Sequence, residues 1–397
     1  MYDQLGMPAE DPILQLAQAF RQDGRENKID LGIGIYKDAD GKSAVMSAVK
    51  SAERFLIEEE PSKAYIGISG DEVFNQQMMT LVLGDALQAG RTLAVQTPGG
   101  GGAVRLLADL ARVSKTNPTV WVSDRTWINH VPIFEETGLS YRRYPYFSAE
   151  PQSVDFDAMR AVLSGVKRGD IVLLHGCCHN PTGADLSFDQ WKTLAASAAD
   201  GGWIPFIDLA YLGFGQGLEA DAEGIRHMAS VVPEMMVAVS CSKNFAIYRE
   251  RTGCAIVIAP SNEAARKAKA NLVGLARVNW SFPPSHGAAV VRTILGSTEL
   301  RPAWQAELDT MRARIEANRR ELSSVLRARL NSDRFDFFAT HSGMFSLSGL
   351  EHEMVGRLRE VHAIFIPSDG RINVAALQQA SIQRLADALA AELKEAA

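Results

Sequence analysis

The chain has 397 residues, of which 47 are acidic and 41 are basic, and its formal net charge is −6. Hydrophobic residues make up 46% and charged residues 22%, which is the composition of an ordinary globular protein. The length is enough for a large core divided into two or three structural units. Because the balance is mildly acidic, it offers no basic face to phosphate backbones, and nucleic acid is not an expected partner.

No apolar run is long enough to predict a membrane span. The longest candidate, around Trp203 to Phe214, is interrupted by Asp208 and falls short of the roughly 18 residues that a span needs. Residues 1–11 lack the basic and apolar regions of a secretory signal, so the cytoplasm is the expected location. We expect reduced thiols, because no disulfide-framework spacing connects the four cysteines, Cys177, Cys178, Cys241 and Cys254.

From about residue 91, short apolar runs alternate with segments of helical length, such as Phe188 to Ala199. The alternation predicts a doubly wound α/β domain with a mostly parallel sheet. The continuous apolar character of the runs predicts burial on both faces. The candidate strands are Thr92 to Gln96, Val120 to Ser123, Ser140 to Tyr144, Ile171 to His175, Ile204 to Asp208, Met235 to Ser240 and Ala255 to Ala259.

The pattern changes after Pro302, where apolar residues recur at helical spacing from Leu308 to Val325. Strand-like segments at 344–347 and 364–367 and helical segments at 354–361 and 382–395 follow. We therefore expect a second, smaller α+β domain. Since no linker rich in Pro, Gly or Ser separates the two units, they should pack closely.

Ligands of open parallel sheets bind beyond the carboxyl ends of the strands, so polar residues at those ends are the first candidates. The segment from Gln96 to Gly102 follows one strand and opens a helix, where free backbone N–H groups can bind a phosphate. A glycine turn without a ligand is an equally good interpretation. Asn180 is held extended before Pro181 and can aim its amide at a ligand, although taken alone a plain turn explains it better.

The segment from Gly176 to Gly183 also contains Cys177, Cys178 and His179, which suggests a metal site. Adjacent cysteines at a strand end should point to opposite sides, and thiolate ligands are usually separated by two or more residues. We therefore expect no metal.

Two further strand ends carry an acid and a lysine. Asp208 closes its strand, and Tyr211 follows it. Lys243 lies between an apolar strand and apolar residues, and partial burial would lower the pKa of its amine and make it a nucleophile. The plainer interpretation is a lysine that keeps its ammonium in solvent at a strand end.

Asn180, Asp208 and Lys243 are 28 and 35 residues apart, which is the spacing of consecutive βαβ units. Their side chains should therefore meet at one edge of the sheet. A Schiff-base lysine, an aspartate that keeps a pyridine nitrogen protonated and an anion-binding glycine loop are the parts that a pyridoxal phosphate enzyme requires.

Together with these residues, five segments resemble the aspartate and aromatic amino acid aminotransferases of class I, which are pyridoxal phosphate enzymes of fold type I. The resemblance runs nearly from end to end of the chain and is greatest to bacterial aromatic amino acid aminotransferases. The segments are 30–38 (DLGIGIYKD), 65–70 (YIGISG), 175–183 (HGCCHNPTG), 240–245 (SCSKNF) and 370–374 (GRINV).

The resemblance implies pyridoxal 5′-phosphate as cofactor and ping-pong transfer of an amino group to 2-oxoglutarate. The implied donors are aspartate, phenylalanine, tyrosine and tryptophan. It also implies an N-terminal arm at 1–13, a small domain formed by 14–43 and 311–397, and a large cofactor-binding domain at 44–310.

The resemblance further implies a role for each candidate residue. Lys243 would bind the cofactor covalently and move the substrate proton, Asp208 would pair with the ring nitrogen, and Trp127 would stack on the ring. Tyr211 and Asn180 would donate hydrogen bonds to the phenolate oxygen. His130 and His175 would support the site from beneath, although ordinary core histidines explain them nearly as well. The phosphate would be held by Gly100, Gly101, Ser240, Ser242, Arg251 and, from the neighbouring subunit, Tyr65.

Two arginines resemble the family's substrate-binding residues. Arg371, with Gly34 beside it, resembles the arginine that binds the α-carboxylate through two hydrogen bonds. Arg277 resembles the arginine that enters from the partner subunit and binds a second carboxylate. A site shared in this way implies a homodimer, with the N-terminal arm embracing the partner.

Three positions depart from the aspartate-type pattern. Gly101 stands in place of a threonine, which removes one hydroxyl from the phosphate site. Phe282 stands in place of an asparagine and favours dual specificity for dicarboxylic and aromatic substrates. Arg125, where relatives often have proline, has no assigned role.

Three alternative functions remain open at this point. A lyase or decarboxylase on the same fold would share the lysine, the aspartate and the carboxylate-binding arginine, and a noncatalytic relative would use the cofactor for recognition only. A nicotinamide-dependent oxidoreductase would use Gly99 to Gly102 and Asp124. Val104 stands where its third glycine is required, and Lys243 would be unexplained.

Overall fold

Helices and strands alternate along most of the chain in the computed structural model, which describes residues 1–7, 10–114 and 116–395. The helices are α1 (Pro12–Gln22), α2 (Ser47–Glu59), α3 (Glu72–Leu83), α4 (Gly99–Val113), α5 (His130–Glu136), α6 (Phe156–Leu163), α7 (Phe188–Gly201), α8 (Leu218–Val231), α9 (Asn262–Asn279), α10 (His286–Gly296), α11 (Leu300–Leu330), α12 (Phe337–Thr340), α13 (His352–Glu360) and α14 (Gln379–Glu395). The strands are β1 (Ile29–Asp30), β2 (Thr92–Pro98), β3 (Val120–Ser123), β4 (Tyr141–Tyr144), β5 (Phe147–Ser148), β6 (Ser153–Val154), β7 (Ile171–His175), β8 (Ile204–Leu209), β9 (Met235–Ser240), β10 (Thr252–Ile258), β11 (Phe345–Leu347), β12 (Ile364–Phe365) and β13 (Arg371–Asn373).

A seven-stranded sheet with the order β2-β10-β9-β8-β7-β3-β4 carries the functional side chains. Each of the seven predicted strands is present, within a few residues of its expected bounds. The neighbouring strands from β9 to β4 are parallel, whereas β10 is antiparallel to both β2 and β9. An apolar run buried on both faces does not reveal its direction, so the sequence could not predict this reversal.

Apolar side chains that alternate along the strands build two cores, one on each face of the sheet. In β9, Val237 and Val239 belong to the core that includes residues of α3, α7 and α8, whereas Met236 and Ala238 belong to the core that includes residues of α4 and α9. Each fully buried large aliphatic side chain contributes about 1.5–3 kcal/mol relative to exposure. Helices on both faces leave the carboxyl edge of the sheet open for a site, as the predicted doubly wound architecture requires.

Helix α11 joins the large core to a third core. Its first half contributes Trp304 and Leu308 to the large core, and its second half contributes Leu322 and Leu326 to a core formed with α13, α14 and the short strands β1, β12 and β13. The helix begins at Leu300 rather than after Pro302, because proline is tolerated in a first helical turn. The predicted domain boundary at 310/311 falls within this helix, and the division into arm, small domain and large domain stays a prediction.

Among the described residues, no helix combines the length and the apolar character that a membrane crossing needs. The four cysteines are buried and free of disulfide bonds, as expected.

Candidate active site

The carboxyl ends of β7, β8 and β9 border a cavity of about 210 Å³. Consecutive βαβ units bring side chains that are far apart in the sequence to this one edge. The cavity is lined by eleven of the predicted site residues, Gly100, Gly101, Trp127, His175, Asn180, Asp208, Tyr211, Ser240, Ser242, Lys243 and Arg251, together with Asn129 and Ala210.

One end of the cavity is suited to an anion. Helix α4 begins there with four glycines and no side-chain cap, so its first N–H groups are free to bind a ligand. A Cβ at Gly99, where φ is +74°, would lie 2.6 Å from a guanidinium nitrogen of Arg251, and a Cβ at Gly100 would lie 2.8 Å from the Cβ of Ser240. Glycine therefore lets the arginine and the serine approach the start of the helix.

Lys243 lines the cavity with its amine largely removed from solvent. Burial lowers the pKa of Lys243 to about 8, the negative charge of Asp208 acts in the opposite direction, and the positive charges of Arg251 and Arg371 add to the lowering. Its Nζ lies 5.1 Å from the centroid of the Tyr211 ring. A substantial fraction of the amine is therefore neutral near physiological pH, as a nucleophile requires.

Asp208 is held by a chain of hydrogen bonds that passes beneath the cavity. Its Oδ2 lies 3.0 Å from Nε2 of His130, whose Nδ1 lies 2.8 Å from the Thr126 hydroxyl, and that hydroxyl lies 3.2 Å from Nε2 of His175. Burial acts to raise the pKa of Asp208, but the His130 hydrogen bond and the charges of His130, His175 and Lys243 outweigh it and hold this pKa below its usual range. The carboxylate is thus ionised and fixed in orientation.

Arg371 adjoins the cavity from the third core and has unused hydrogen-bonding capacity. Its Nη2 donates to the Gly32 carbonyl at 2.9 Å, its Nη1 donates to Oδ1 of Asn180 at 3.4 Å, and its guanidinium lies 4.3 Å from the centroid of the Phe345 ring. Its buried Nε–H has no hydrogen-bond partner. A carboxylate ligand would satisfy this donor, because carboxylates bind guanidinium groups through two parallel hydrogen bonds. A Cβ at Gly34 would lie 2.8 Å from the Phe345 ring, so glycine allows the close approach.

Tyr65, Arg277 and Arg125, which the sequence singled out, do not line the cavity, and in the part of the chain that the structure describes no hydrogen bond joins them to its lining. The Tyr65 side chain is 84% exposed and stacks on Phe282 with 4.5 Å between the ring centroids. Arg277 is exposed in the last turn of α9. Arg125 is also exposed, and its backbone N–H donates to Asp124, so its side chain still has no assigned role.

Sequence reasoning did not identify Thr126, Asn129 and Phe345. Thr126 links His130 to His175, and Asn129 lines the cavity, but a lone threonine or asparagine in a loop gives no signal of such a role. Phe345 lies in a predicted strand-like segment, and only the three-dimensional structure shows that its ring lies against Arg371.

The expectation that the two adjacent cysteines point to opposite sides is wrong. Cys178 has a φ of +51°, which brings the thiols of Cys177 and Cys178 together with a carboxylate oxygen of Asp221, within 4.8 Å of one another. The hydrogen bond with Cys178 and burial raise the pKa of Cys177. The Asp221 carboxylate already accepts hydrogen bonds from the backbone N–H groups of Gly213, Gly215 and Gln216, which argues against its being a metal ligand. The absence of a metal stays a prediction.

A larger cavity of about 270 Å³ lies at the opposite ends of the strands, between α4 and α9. Its lining is mostly aliphatic, as at Leu110, Met236 and Val257, and its charged lining residues Glu234 and Lys267 are exposed. This cavity is larger, but the smaller one contains the nucleophile, the fixed carboxylate and the free N–H groups. We therefore assign the chemistry to the smaller cavity.

The fold and this site define an α/β enzyme in which a nucleophilic lysine lies between an anion-binding helix terminus and a carboxylate-binding arginine. The chain belongs to the aminotransferase class I and II family, whose model matches residues 26–389. The match confirms the family resemblance found in the five sequence segments.

Individual relatives cover almost the whole chain. It is 47% identical over 389 residues to the aromatic-amino-acid aminotransferase of Paracoccus denitrificans, covering 98% of this chain and 99% of the relative. It is 42% identical over 396 residues to the aspartate aminotransferase of Escherichia coli (strain K12), covering 99% and 100%. The crystal structure of the aromatic-amino-acid aminotransferase from Burkholderia pseudomallei covalently bound to pyridoxal phosphate matches with a TM-score of 0.96 and 39% identity, covering 99% of each chain. These matches confirm the predicted fold and the aminotransferase class.

Proposed function

We propose that the protein is a pyridoxal phosphate-dependent aminotransferase that moves the amino group of aspartate or an aromatic amino acid to 2-oxoglutarate in a ping-pong reaction. The observation that carries the proposal is the buried amine of Lys243, with its pKa lowered to about 8, in the same cavity as the fixed carboxylate of Asp208. The bound cofactor would supply an electron sink for the bonding electrons of the substrate's Cα.

The residues of the cavity fit this cofactor. The free N–H groups at Gly100 and Gly101 and the side chains of Ser240, Ser242 and Arg251 would hold its phosphate, as suits an anion at a helix start. Asp208, oriented by His130, would keep the proton on the ring nitrogen. Trp127 would stack on the ring, and Tyr211 and Asn180 would donate hydrogen bonds to its phenolate oxygen.

Lys243 would bind the cofactor covalently and, after its release by the substrate, move the proton at Cα. Arg371 would bind the α-carboxylate, and its unpaired Nε–H supports that role. Gly34 would line the same pocket, where its lack of a side chain leaves the Phe345 ring in place.

The proposal includes a homodimer in which Tyr65 reaches the phosphate and Arg277 reaches the distal carboxylate of the partner's site. Large apolar side chains support an interface, because Tyr65, Val278 and Ile57 are 84%, 85% and 82% exposed in the single chain. The predicted N-terminal arm would embrace the partner, and the cytoplasm stays the predicted location.

The visible absorption spectrum of the pyridoxal phosphate-loaded protein, recorded before and after adding glutamate without an acceptor, tests the central proposal. We expect the visible band to fall, because the amino group passes to the cofactor and stays there. A band that glutamate leaves unchanged would favour a lyase, a decarboxylase or a noncatalytic role, which product analysis separates. A protein that takes up no cofactor would refute the proposal.

The donor range is tested with Arg277→Leu. Loss of a charged partner for the distal carboxylate should lower kcat/KM for aspartate by roughly 10²-fold and leave phenylalanine much less affected. Arg266→Leu, on the exposed surface of the same helix, is the matched control and should change neither value. Equal losses with both donors would contradict the assigned role.

A further inference from the structure

A carboxylate outside the cavity lining fixes the loop that carries Asn180. The Asp185 side chain accepts a hydrogen bond from the Cys178 N–H at Oδ2 and another from the His179 N–H at Oδ1, both at 2.8 Å. Successive N–H groups that converge on one point form a concave anion site, of the kind that binds phosphate in other proteins. In this loop the bound anion is a side chain of the same chain.

The two hydrogen bonds lie at a strained point of the backbone. Cys178 has a φ of +51°, a region that residues other than glycine adopt infrequently. Such a conformation persists where the surroundings hold it in place. One Asp185 oxygen binds the N–H of Cys178 and the other binds the next N–H, so the carboxylate stabilises the turn that leads to Asn180.

The orientation of the Asn180 amide follows from its contacts. Its Oδ1 accepts a hydrogen bond from Nη1 of Arg371 at 3.4 Å, and its backbone N–H donates to Nδ1 of His175 at 3.4 Å. With the amide oxygen directed at Arg371, the NH₂ group is available to donate to a ligand in the cavity. A shift of the loop would therefore misplace this donor.

Other residues also contact the loop that contains Cys178 and His179. The His179 ring stacks on Tyr146 with a centroid distance of 4.1 Å and lies tilted against His175 with a centroid distance of 4.0 Å. A Cβ at Gly343 would lie 2.3 Å from the Cβ of Cys178. Burial raises the pKa of Asp185 to about 6, the two N–H bonds lower it, Asp221 raises it and Arg319 lowers it.

We propose that Asp185 is a positioning residue of the active site, which holds the strained turn at Cys178 and thereby places the Asn180 amide on the cofactor's phenolate oxygen. The inference rests on the proposed function and deepens it, because it assigns control of the cofactor's protonation to a carboxylate that does not touch the cofactor.

The test is the pH titration of the visible absorption of the pyridoxal phosphate-loaded Asp185→Asn variant. An asparagine presents an NH₂ donor where the loop needs a second acceptor, so at least one of the two hydrogen bonds is lost. Asn180 would then stabilise the anionic oxygen less well, and the midpoint of the absorption change should rise by about one pH unit. A purely structural role would lower thermal stability and leave the midpoint unchanged.

Three comparisons make the result specific. Asp189→Asn, on an aspartate whose side chain is 86% exposed, should leave the midpoint at the wild-type value. Asn180→Ala should raise it, and Asp185→Asn should add nothing in the Asn180→Ala background, because the effect passes through Asn180. Additive shifts, or an Asp185→Asn midpoint equal to wild type, would overturn the proposal. A wild-type protein that binds no pyridoxal phosphate would instead refute the proposed function.

If the Asp185→Asn variant does not fold, the proposal can still be tested by combining it with Cys178→Gly. Glycine adopts a positive φ at little cost, so Cys178→Gly should relieve the strain that Asp185 opposes. The double variant should therefore fold, but a glycine leaves the turn free to move and replaces neither hydrogen bond to the loop, so the midpoint should still be raised. If it folds with the wild-type midpoint, or fails to fold, Asp185 has only a structural role and the proposal is overturned.

Discussion

Lys243 shows how far a residue's position in the sequence predicts its chemistry. Its place after an apolar strand indicates a strand-end lysine, and the neighbouring segments indicate a cofactor-binding one. The size of its pKa shift depends on how far the fold buries the amine and on the opposing charges of Asp208 and Arg251. These contacts are three-dimensional, so the sequence alone could predict the direction of the shift but not its extent.

The pKa of Lys243 gives a prediction for the cofactor-free protein. Since burial lowers this pKa to about 8, the rate of covalent attachment of pyridoxal phosphate should rise with pH through about 8 and then level off. Stopped-flow absorbance measures that rate. Asp208→Asn should move the midpoint lower, because the charge of Asp208 raises the lysine pKa. A midpoint near 10.5, the value of an exposed lysine, would contradict the prediction.

The same shift has a consequence for folding stability. Between pH about 8 and 10.5 the folded cofactor-free protein binds fewer protons at Lys243 than the unfolded chain does. Stability rises with pH wherever the unfolded state binds more protons, so this residue makes the cofactor-free protein more stable as pH increases across that interval.

At the scale of the elements, the glycines at the start of α4 differ in whether the fold leaves room for a side chain. Side chains at Gly99 or Gly100 would collide with Arg251 or Ser240, at 2.6 and 2.8 Å. At Gly101 a Cβ would meet only Trp127, at an ordinary contact distance of 3.6 Å. The sequence shows four equivalent glycines, and the surroundings of the first three differ because Arg251, Ser240 and Trp127 come from three separate segments of the chain.

Gly101→Ser is therefore expected to strengthen cofactor binding. The added hydroxyl can donate one more hydrogen bond to the phosphate, which should lower the Kd for pyridoxal phosphate by roughly 2- to 10-fold. Titration of the cofactor-free protein measures this Kd. Gly100→Ser is the matched control, and its steric conflict with Ser240 should weaken binding instead. An unchanged or higher Kd for Gly101→Ser would show that no phosphate oxygen lies within reach.

Helix α11 contains a buried arginine that the spacing of apolar residues does not predict. The spacing of its apolar residues predicts the helix, but not the function of Arg319, which is 2% exposed. Its guanidinium donates hydrogen bonds to the carbonyls of Phe338, Ser342, Gly343 and Phe345 and to the Ser346 hydroxyl. The acceptors lie in α12, in β11 and in the loop between them. No periodicity encodes how these segments surround α11, so the sequence gives no sign that this arginine is buried.

At the scale of the whole molecule, the order of strands along the sheet explains why so much of the site could be predicted. Asp208 is the penultimate residue of β8, and Asn180 and Lys243 follow β7 and β9. These strands are neighbours in both sequence and space, and the three side chains line one cavity. Arg371 comes from a distant segment, and only the family resemblance indicated its place. The antiparallel β10 and the clustered cysteines escaped prediction because strand direction and a single positive φ leave no trace in residue patterns.

Tyr65 and Arg277 remain exposed in the single chain, and the proposed homodimer gives both a function. Under that proposal each site takes Lys243 from one chain and Arg277 from its partner. A dimer of Lys243→Ala chains should be inactive, and a dimer of Arg277→Leu chains should be nearly inactive with aspartate alone. A hybrid of the two variants would contain one site in which both residues are present.

The two variants, mixed under conditions that exchange subunits, should therefore regain roughly a quarter of the wild-type aspartate activity, because half of the dimers are hybrids and each hybrid has one complete site of two. Phenylalanine is the internal control: the Arg277→Leu chains already turn it over, and mixing should add nothing. Subunit exchange itself is verified by tagging one variant and isolating the hybrid. An isolated hybrid with no more aspartate activity than its parents would mean that each chain completes its own site, and the shared-site dimer would be wrong.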